Sequence, residues 1–373
     1  MSSFEMISKY GDHEQVVFCH DKNIGLKAII AIHNTALGPA LGGTRMWNYQ
    51  NEDEALVDVL RLSKGMTYKA AAAGLNLGGG KAVIIGDSKT QKSEGLFRAF
   101  GQFVNSLNGK YITAEDVGTS VNDMEHIFME TPWVTGIPKD FGGSGDPSPY
   151  TAHGVLMGIK ASAAEKLGTD SLKGMRIAVQ GLGNVGSHLV KYLFEEGAKI
   201  IVADIDPARV KAHHDTYGAA IITVAPDQIL FAECEIQAPC AMGAVINDQT
   251  ITKLRCKAIA GGANNQLAEA KHGDQLRELG ILYAPDYVVN AGGLMNVFVE
   301  LEGYSQERAF EKTKRVYDNV KKVFEISKRD NIGTHTAADR LAEERIKTMG
   351  YLKQHHPGKS NRVFTTLKEI NNR

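Results

Sequence analysis

The sequence predicts an α/β protein of two domains, and three observations lead there. Its 373 residues exceed what one ordinary hydrophobic core organises. Short apolar runs of strand type alternate with stretches of helical period, the pattern of a parallel sheet covered by helices. The run Gly142-Gly143-Ser144-Gly145-Asp146-Pro147-Ser148-Pro149 is the strongest break in the chain. Its glycines give freedom and its prolines punctuation, so the inter-domain crossing is placed there.

Taken in order, Val16 to Cys19 reads as a strand and Asp21 to Gly25 as a turn. Leu26, Ala28, Ile30 and Ile32 fall on one face of a returning strand, so a hairpin opens the first domain. Glu54 to Met66 has helical spacing, Ala82 to Ile85 reads as a strand after a triple glycine, and the 90s to Leu107 look helical. From Tyr150 a helix leads into Met175 to Gln180, another apolar run of strand type. Gly181-Leu182-Gly183-Asn184-Val185-Gly186 follows directly as G-x-G-x-x-G. A helix is expected to start inside that loop, because Val185, Leu189, Val190, Leu193 and Phe194 recur at helical intervals, and Gly197 stands where a helix stops. Lys199 to Ala203 is the next strand, and strand-helix alternation continues to about Glu300. Arg308 to Arg329 is a long amphipathic helix with Val316, Val320 and Val323 on one side and Glu311/Arg315 and Asp318/Lys322 as i,i+4 pairs. A second helix runs from Thr336 to Met349. Spacing leaves open whether this helical tail finishes the second domain or crosses back to the first.

The glycine loop has a physical reading residue by residue. Gly181 permits the tight turn, Gly183 lets backbone approach a pyrophosphate, and Gly186 allows close helix-sheet contact. The helix N-terminus then offers unpaired N–H donors and a partial positive charge of about +0.5 to phosphates. Asp204 stands eighteen residues past Gly186, where an acid accepts hydrogen bonds from a ribose 2′-hydroxyl, which predicts NAD rather than NADP. A bare strand-to-helix turn is the alternative, but strand, helix and acid agree here.

Forty-two basic and 43 acidic residues give a net charge of −1, so no extended field favours nucleic acid or an anionic membrane. Cys19, Cys234, Cys240 and Cys256 form no C-x-x-C pair and read as reduced, mostly buried thiols. No metal is expected. No apolar run approaches the roughly 18 residues of a membrane span, and a cytoplasmic location is expected.

Two nearby stretches, Lys64-Gly65-Met66-Thr67-Tyr68-Lys69 and Gly78-Gly79-Gly80-Lys81, carry the densest chemical signal outside the loop. Lys81 follows three glycines and is expected at a loop edge in a cleft with little water. A lysine acts as a base only when neutral; reaching a pKa of about 7 to 8 from about 10.4 takes roughly 3 units, or about 4 kcal/mol, from burial and like charge. Lys69 supplies that second charge or pairs with a substrate carboxylate. Two solvated lysines on a glycine-rich surface is the plain alternative. Glu115 and Asp116 point oppositely if extended, so one of them faces a cleft, or else they form a turn or helix cap. Asn264 and Asn265 bond a cofactor amide or cap a following helix. The residues alone leave each of these open.

In combination, Gly42-Gly43-Thr44-Arg45-Met46, the two lysine stretches, Thr113-Ala114-Glu115-Asp116-Val117-Gly118, the nucleotide loop and Asn290-Ala291-Gly292-Gly293 resemble, in order and over nearly the whole chain, the glutamate/leucine/phenylalanine/valine group of amino acid dehydrogenases. The resemblance implies a substrate-binding and catalytic domain at 1–148, an NAD-binding Rossmann domain at 149–328 with a cleft between the two, and C-terminal helices at 329–373 returning to the first. It implies that Lys81 is the general base, Asp116 its catalytic partner and Lys69 the anchor of the substrate α-carboxylate. Leu41, Gly42, Gly43, Met66, Ala114, Asn264, Leu294 and Val297 would surround the substrate. Leu182, Asn184, Val185, Thr151, Cys240, Ala241 and Asn264 would join the loop glycines and Asp204 around NAD.

The implied reaction is reversible oxidative deamination of an L-amino acid to a 2-oxo acid and ammonia, in a homo-oligomer. Glutamate-specific relatives place a lysine where Leu41 stands, and phenylalanine-type relatives a glycine where Ala114 stands, so the resemblance implies leucine, isoleucine and valine as substrates. One methylene is worth only about 1 to 3 kcal/mol in such a pocket. A phenylalanine-preferring enzyme is the nearest alternative, a 2-hydroxy acid or malate-type oxidoreductase the next, and a nucleotide-binding sensor the reading without catalysis.

Overall fold

A computed structural model of the chain describes residues 2–355. They divide into two compact units. Among the described residues, the first holds 2–146, Val297–Gln306 and 342–355; the second holds Pro147–Asn296 and Glu307–Leu341.

The first unit contains α1 (Ser3–Tyr10), β1 (Gln15–Asp21), β2 (Leu26–Asn34), β3 (Ala40–Trp47), α2 (Glu52–Ala72), β4 (Gly78–Ile85), α3 (Glu94–Ser106), β5 (Tyr111–Glu115) and α4 (Val121–Phe128). Its five strands form one mixed sheet in the order β1-β2-β4-β3-β5. β1 and β2 pair antiparallel, as the hairpin reading expects, and β3 runs parallel to both β4 and β5. Alternation sorts the sheet's two faces. Leu26, Ala28, Ile30 and Ile32 of β2 pack on α3 and α4 through Phe97, Phe100, Met124 and Ile127. Ile29 and Ala31 face the other way, against Leu56, Val59 and Leu60 of α2.

The second unit contains α5 (Ser148–Leu167), β6 (Arg176–Gln180), α6 (Asn184–Glu195), β7 (Lys199–Ala203), α7 (Pro207–Tyr217), β8 (Ile221–Thr223), β9 (Ile236–Pro239) and β10 (Ala258–Ile259). These are followed by α8 (Lys271–Glu278), β11 (Leu282–Tyr283) and α9 (Asp286–Val289). The remaining helices are α10 (Gly292–Leu301), α11 (Gln306–Asp330) and α12 (Thr334–His355). Six parallel strands lie in the order β11-β10-β9-β6-β7-β8. The chain winds outward from β6 to β8 and restarts at β9 on the other side of β6, which makes the sheet doubly wound with its switch point between β6 and β9.

Several expectations need correction. The helix expected over Glu54–Met66 continues to Ala72, so Lys69 stands on α2 rather than beyond it. Gly78-Gly79-Gly80-Lys81 is not a loop edge but the first half of β4. Phe194 is exposed, because the buried stripe of α6 is Leu189, Val190 and Leu193. Glu311 pairs with Lys314, three residues on, at 2.5 Å. The boundary expected at residue 328 is displaced. Val297–Gln306 joins the first unit, where Glu300 Oε2 accepts the N–H groups of Gly136 at 3.0 Å and Ser144 at 2.8 Å. Helix α12 changes unit midway, since Ala342 and Ile346 pack with Leu37, Tyr68 and Ala71. A continuous helical period carries no mark of where its neighbours change.

Candidate active site

The first unit collects its chemistry on the α2 face of the sheet. Register does the collecting: Ala31 pairs with Lys81, Leu41 with Gly79 and Ile112, and Gly43 with Ala114, and paired residues share a face. Ala31 belongs to the core under α2, so Lys81, Leu41, Gly43 and Ala114 lie on that side. Period two along β3 adds Arg45, and Asp116 follows at the end of β5.

The triple glycine is there to make room. A Cβ at Gly78 would lie 2.1 Å from Asn34 O, one at Gly79 2.1 Å from Thr67 N on α2, and one at Gly80 2.7 Å from the Tyr111 ring. Only bare backbone lets α2 come down on β4 while Tyr111 fills the opposite side and donates from its hydroxyl to Gly42 O at 2.6 Å. α2 thereby brings Met66 and Lys69, both half-buried, to the same face of the sheet. A Cβ at Gly43 would stand 2.4 Å from Glu115 O and 2.9 Å from Asp116 Cβ, so glycine there admits the Asp116 turn. That turn is closed by the Asp116 N–H donating to Thr119 Oγ1 at 2.9 Å, with Gly118 in the left-handed region at φ +83°.

Lys81 Nζ lies 3.0 Å from Asp116 Oδ1, the two side chains being 6% and 22% exposed. Arg45 Nε donates to Asp116 Oδ2 at 3.0 Å. Arg45 Nη1 donates to Asp58 Oδ2 at 2.9 Å, and the Tyr49 hydroxyl to the same oxygen at 2.6 Å. Burial pushes the Asp116 carboxyl up, but Lys81 and Arg45 outweigh it and hold it below the ordinary carboxylate value. Burial depresses the Arg45 guanidinium, and Asp116 and Asp58 more than restore it. Glu115 points away and is exposed.

Sequence reasoning missed Asp58 and Tyr49 altogether and met Arg45 only as part of a motif. Arg45 and Asp116 are 71 positions apart, and only strand pairing brings them together.

In the second unit, the loop after β6, Cys240 and Ala241 after β9, Asn264 after β10 and Asp204 after β7 all follow the carboxyl ends of strands. Gly181 is left-handed at φ +94°, and a Cβ on it would meet Ala241 Cβ at 2.7 Å. A Cβ at Gly186 would lie 1.9 Å from Gly181 O. Gly183 is the N-cap of α6 with no side-chain cap, and a Cβ there would meet nothing nearer than Arg209 Nη1 at 3.7 Å. An uncapped helix N-terminus with open space above its glycine fits a pyrophosphate. Thr151 on α5 is close to α10, because a Cβ at Gly293 would reach its Oγ1 at 2.6 Å.

Asp204 is 7% exposed and accepts the N–H groups of Leu182 at 2.6 Å and Asp206 at 2.8 Å. A carboxylate has about four lone-pair positions, so capacity for a ribose hydroxyl remains. Burial pushes the Cys240 thiol up to about 11. Asn264 caps no helix: α8 begins at Lys271, and Asn264 Oδ1 instead accepts from Asn290 Nδ2 at 2.7 Å. Leu294 and Val297 are both buried on α10, and the division between units falls after Asn296.

Among the described residues, Asp248, Glu269 and His272 cluster closely enough to bind a metal. Lys271 Nζ already sits there, 3.0 Å from Asp248 and 3.2 Å from Glu269. No helix of the described residues is long and apolar enough to cross a membrane.

Comparison with known proteins points the same way. Family models for the Glu/Leu/Phe/Val dehydrogenase dimerisation domain and for Glutamate/Leucine/Phenylalanine/Valine dehydrogenase match residues 13–133 and 142–350. The chain is 61% identical over 349 residues to a leucine dehydrogenase of Geobacillus stearothermophilus, covering 94% of each chain. It is 51% identical over 346 residues to a phenylalanine dehydrogenase of Thermoactinomyces intermedius, covering 93% of this chain and 94% of that one. The crystal structure of L-tryptophan dehydrogenase from Nostoc punctiforme superposes with a TM-score of 0.83 at 46% identity, covering 93% of this chain and 99% of that one. With a buried lysine against a half-buried aspartate in one unit, a doubly wound glycine-loop sheet in the other and two family models spanning both, the chain belongs to the glutamate/leucine/phenylalanine/valine dehydrogenase family and is an amino acid dehydrogenase.

Proposed function

We propose that the chain catalyses the reversible, NAD-dependent oxidative deamination of branched-chain L-amino acids, leucine with isoleucine and valine, to 2-oxo acids and ammonia. The Lys81–Asp116 pair, its lysine buried and its aspartate half-buried, carries this reading, because deamination needs proton transfer both to and from the substrate's Cα substituents. NAD, held by the loop Gly181–Gly186 and Asp204 with Thr151, Cys240, Ala241 and Asn264 alongside, would supply the hydride acceptor when bound.

The chain's own residues do the rest. Lys69 pairs as a point charge with the substrate α-carboxylate. Lys81 takes a proton from the water that adds at Cα, and Asp116 relays a proton to the departing amine. Proton transfer by positioned groups contributes about 10²- to 10⁴-fold. Leu41, Ala114, Leu294 and Val297 are apolar and offer a distal carboxylate no partner, which favours an aliphatic side chain. The higher identity to a leucine than to a phenylalanine dehydrogenase supports the same ranking. A homo-oligomer is in keeping with the dimerisation-domain description of the model matching residues 13–133.

Ammonium tests the reading. NADH oxidation with 4-methyl-2-oxopentanoate should require ammonium, and leucine should exceed phenylalanine in kcat/KM in the reverse assay. Equal rates without ammonium would replace the proposal with a hydroxy acid oxidoreductase, and a phenylalanine preference would replace its substrate.

A further inference from the structure

We propose that Arg45 is a positioning residue for this reaction, its guanidinium bridging Asp58 and Asp116 so that Asp116 keeps one oxygen turned toward Lys81. The inference deepens the proposed deaminase reading and rests on it.

The geometry divides the Asp116 carboxylate between two partners. Oδ2 accepts from Arg45 Nε at 3.0 Å, which leaves Oδ1 facing Lys81 Nζ at 3.0 Å. Backbone alone does not fix this. The turn through Thr119 holds the Asp116 main chain and makes no bond to its carboxylate, so it does not select the side-chain rotamer. Arg45 is itself anchored: Nη1 is taken by Asp58 Oδ2 at 2.9 Å, and that oxygen also receives the Tyr49 hydroxyl at 2.6 Å. A planar fork with donors on two edges transmits orientation in a way a flexible ammonium does not. Arg45 thus stands between the carboxylates of Asp58 and Asp116, in a partly buried row that ends at Lys81.

A purely structural role, stapling β3 to α2, is the competing account. The pH profile separates the two, since the acid limb of kcat/KM follows groups of the free enzyme. The groups that face Asp116 are Lys81 on β4 and Arg45 on β3, with Asp58 on α2 and Tyr49 after β3 behind Arg45; Glu115 points away and Tyr111 lies on the other side of the sheet, both within range of its charge only.

Three variants are compared with the intact enzyme using leucine and NAD. Arg45→Gln removes a cation that favours the ionised carboxylate, so the acid limb should move to higher pH and kcat should fall about 10- to 100-fold, the scale of a misplacement near 1 Å. Arg45→Lys keeps the charge without the fork, so the limb should stay near wild type while kcat falls; it also serves if Arg45→Gln does not fold. Asp58→Asn leaves the guanidinium charged and should not raise the limb. A wild-type profile and kcat in Arg45→Gln would overturn the proposal, as would a limb raised equally by Asp58→Asn.

If the wild-type enzyme turns over neither leucine nor phenylalanine, the oxidative deamination reading fails, and a crystal structure of Arg45→Gln still decides the positioning. An Asp116 carboxylate rotated away from Lys81 supports it, and one retained at about its present distance overturns it.

Discussion

Two cations on one carboxylate give Asp116 a definite signature at the scale of single residues. Its folded pKa lies below the ordinary 3.8, with burial raising it and Lys81 and Arg45 lowering it further than burial raises it. The sign follows from linkage: a depressed acid adds stability that is complete above the unfolded pKa and is lost as pH falls through the folded value. The Tm difference between wild type and Asp116→Asn should therefore be flat across neutral pH and shrink only below about pH 4, near the unfolded value of an aspartate. A difference that instead grew on acidification would show that the carboxylate is not held ionised in the fold. Little of this was legible in the chain itself. Position 116 sits among charged and turn-forming neighbours, which pointed equally to a cap, and its two cations come from other strands.

Elements explain why the glycines stand where they do. Gly79 on β4 has Thr67 N, Thr67 Oγ1 and Ser63 O of α2 within 2.6 Å of where a Cβ would be, all but one of them backbone. Gly79→Ala must lift α2 from the sheet and should cost about 1 to 3 kcal/mol or more, as overpacking does, with leucine turnover lost alongside. Thermal denaturation checks this, and an unchanged Tm would mean that the helix is not held down as described. Gly186→Ala makes the analogous test in the second unit, where a Cβ would meet Gly181 O at 1.9 Å. It should weaken NAD binding, read by titration, while leaving the Lys81 site intact.

The loop-helix unit was readable because its strand, glycines, helix stripe and acid are contiguous from Met175 to Asp204. β3 was not, because Gly42 and Gly43 are poor strand formers and take their conformation from β5 and β4 on either side. Lys81 was misplaced for the same reason: three glycines read locally as a loop, while in the fold they are contact points.

For the whole molecule, the two-part plan could be read from length and from the break at Gly142 to Pro149, and the division after Asp146 falls within that run. The returns of Val297–Gln306 and of residues 342–355 could not, since each lies within or beside a helix whose period continues unbroken. The proposed function needs a part from each unit: a glycine loop that fits a pyrophosphate does nothing to an amine, and a lysine-aspartate pair accepts no hydride. The central claim is that Lys81 moves the protons, and it is tested most directly by leucine turnover and NAD binding in Lys81→Ala. The predicted result is a fall in kcat of about 10²-fold or more with the NAD dissociation constant unchanged. Turnover equal to wild type would contradict it.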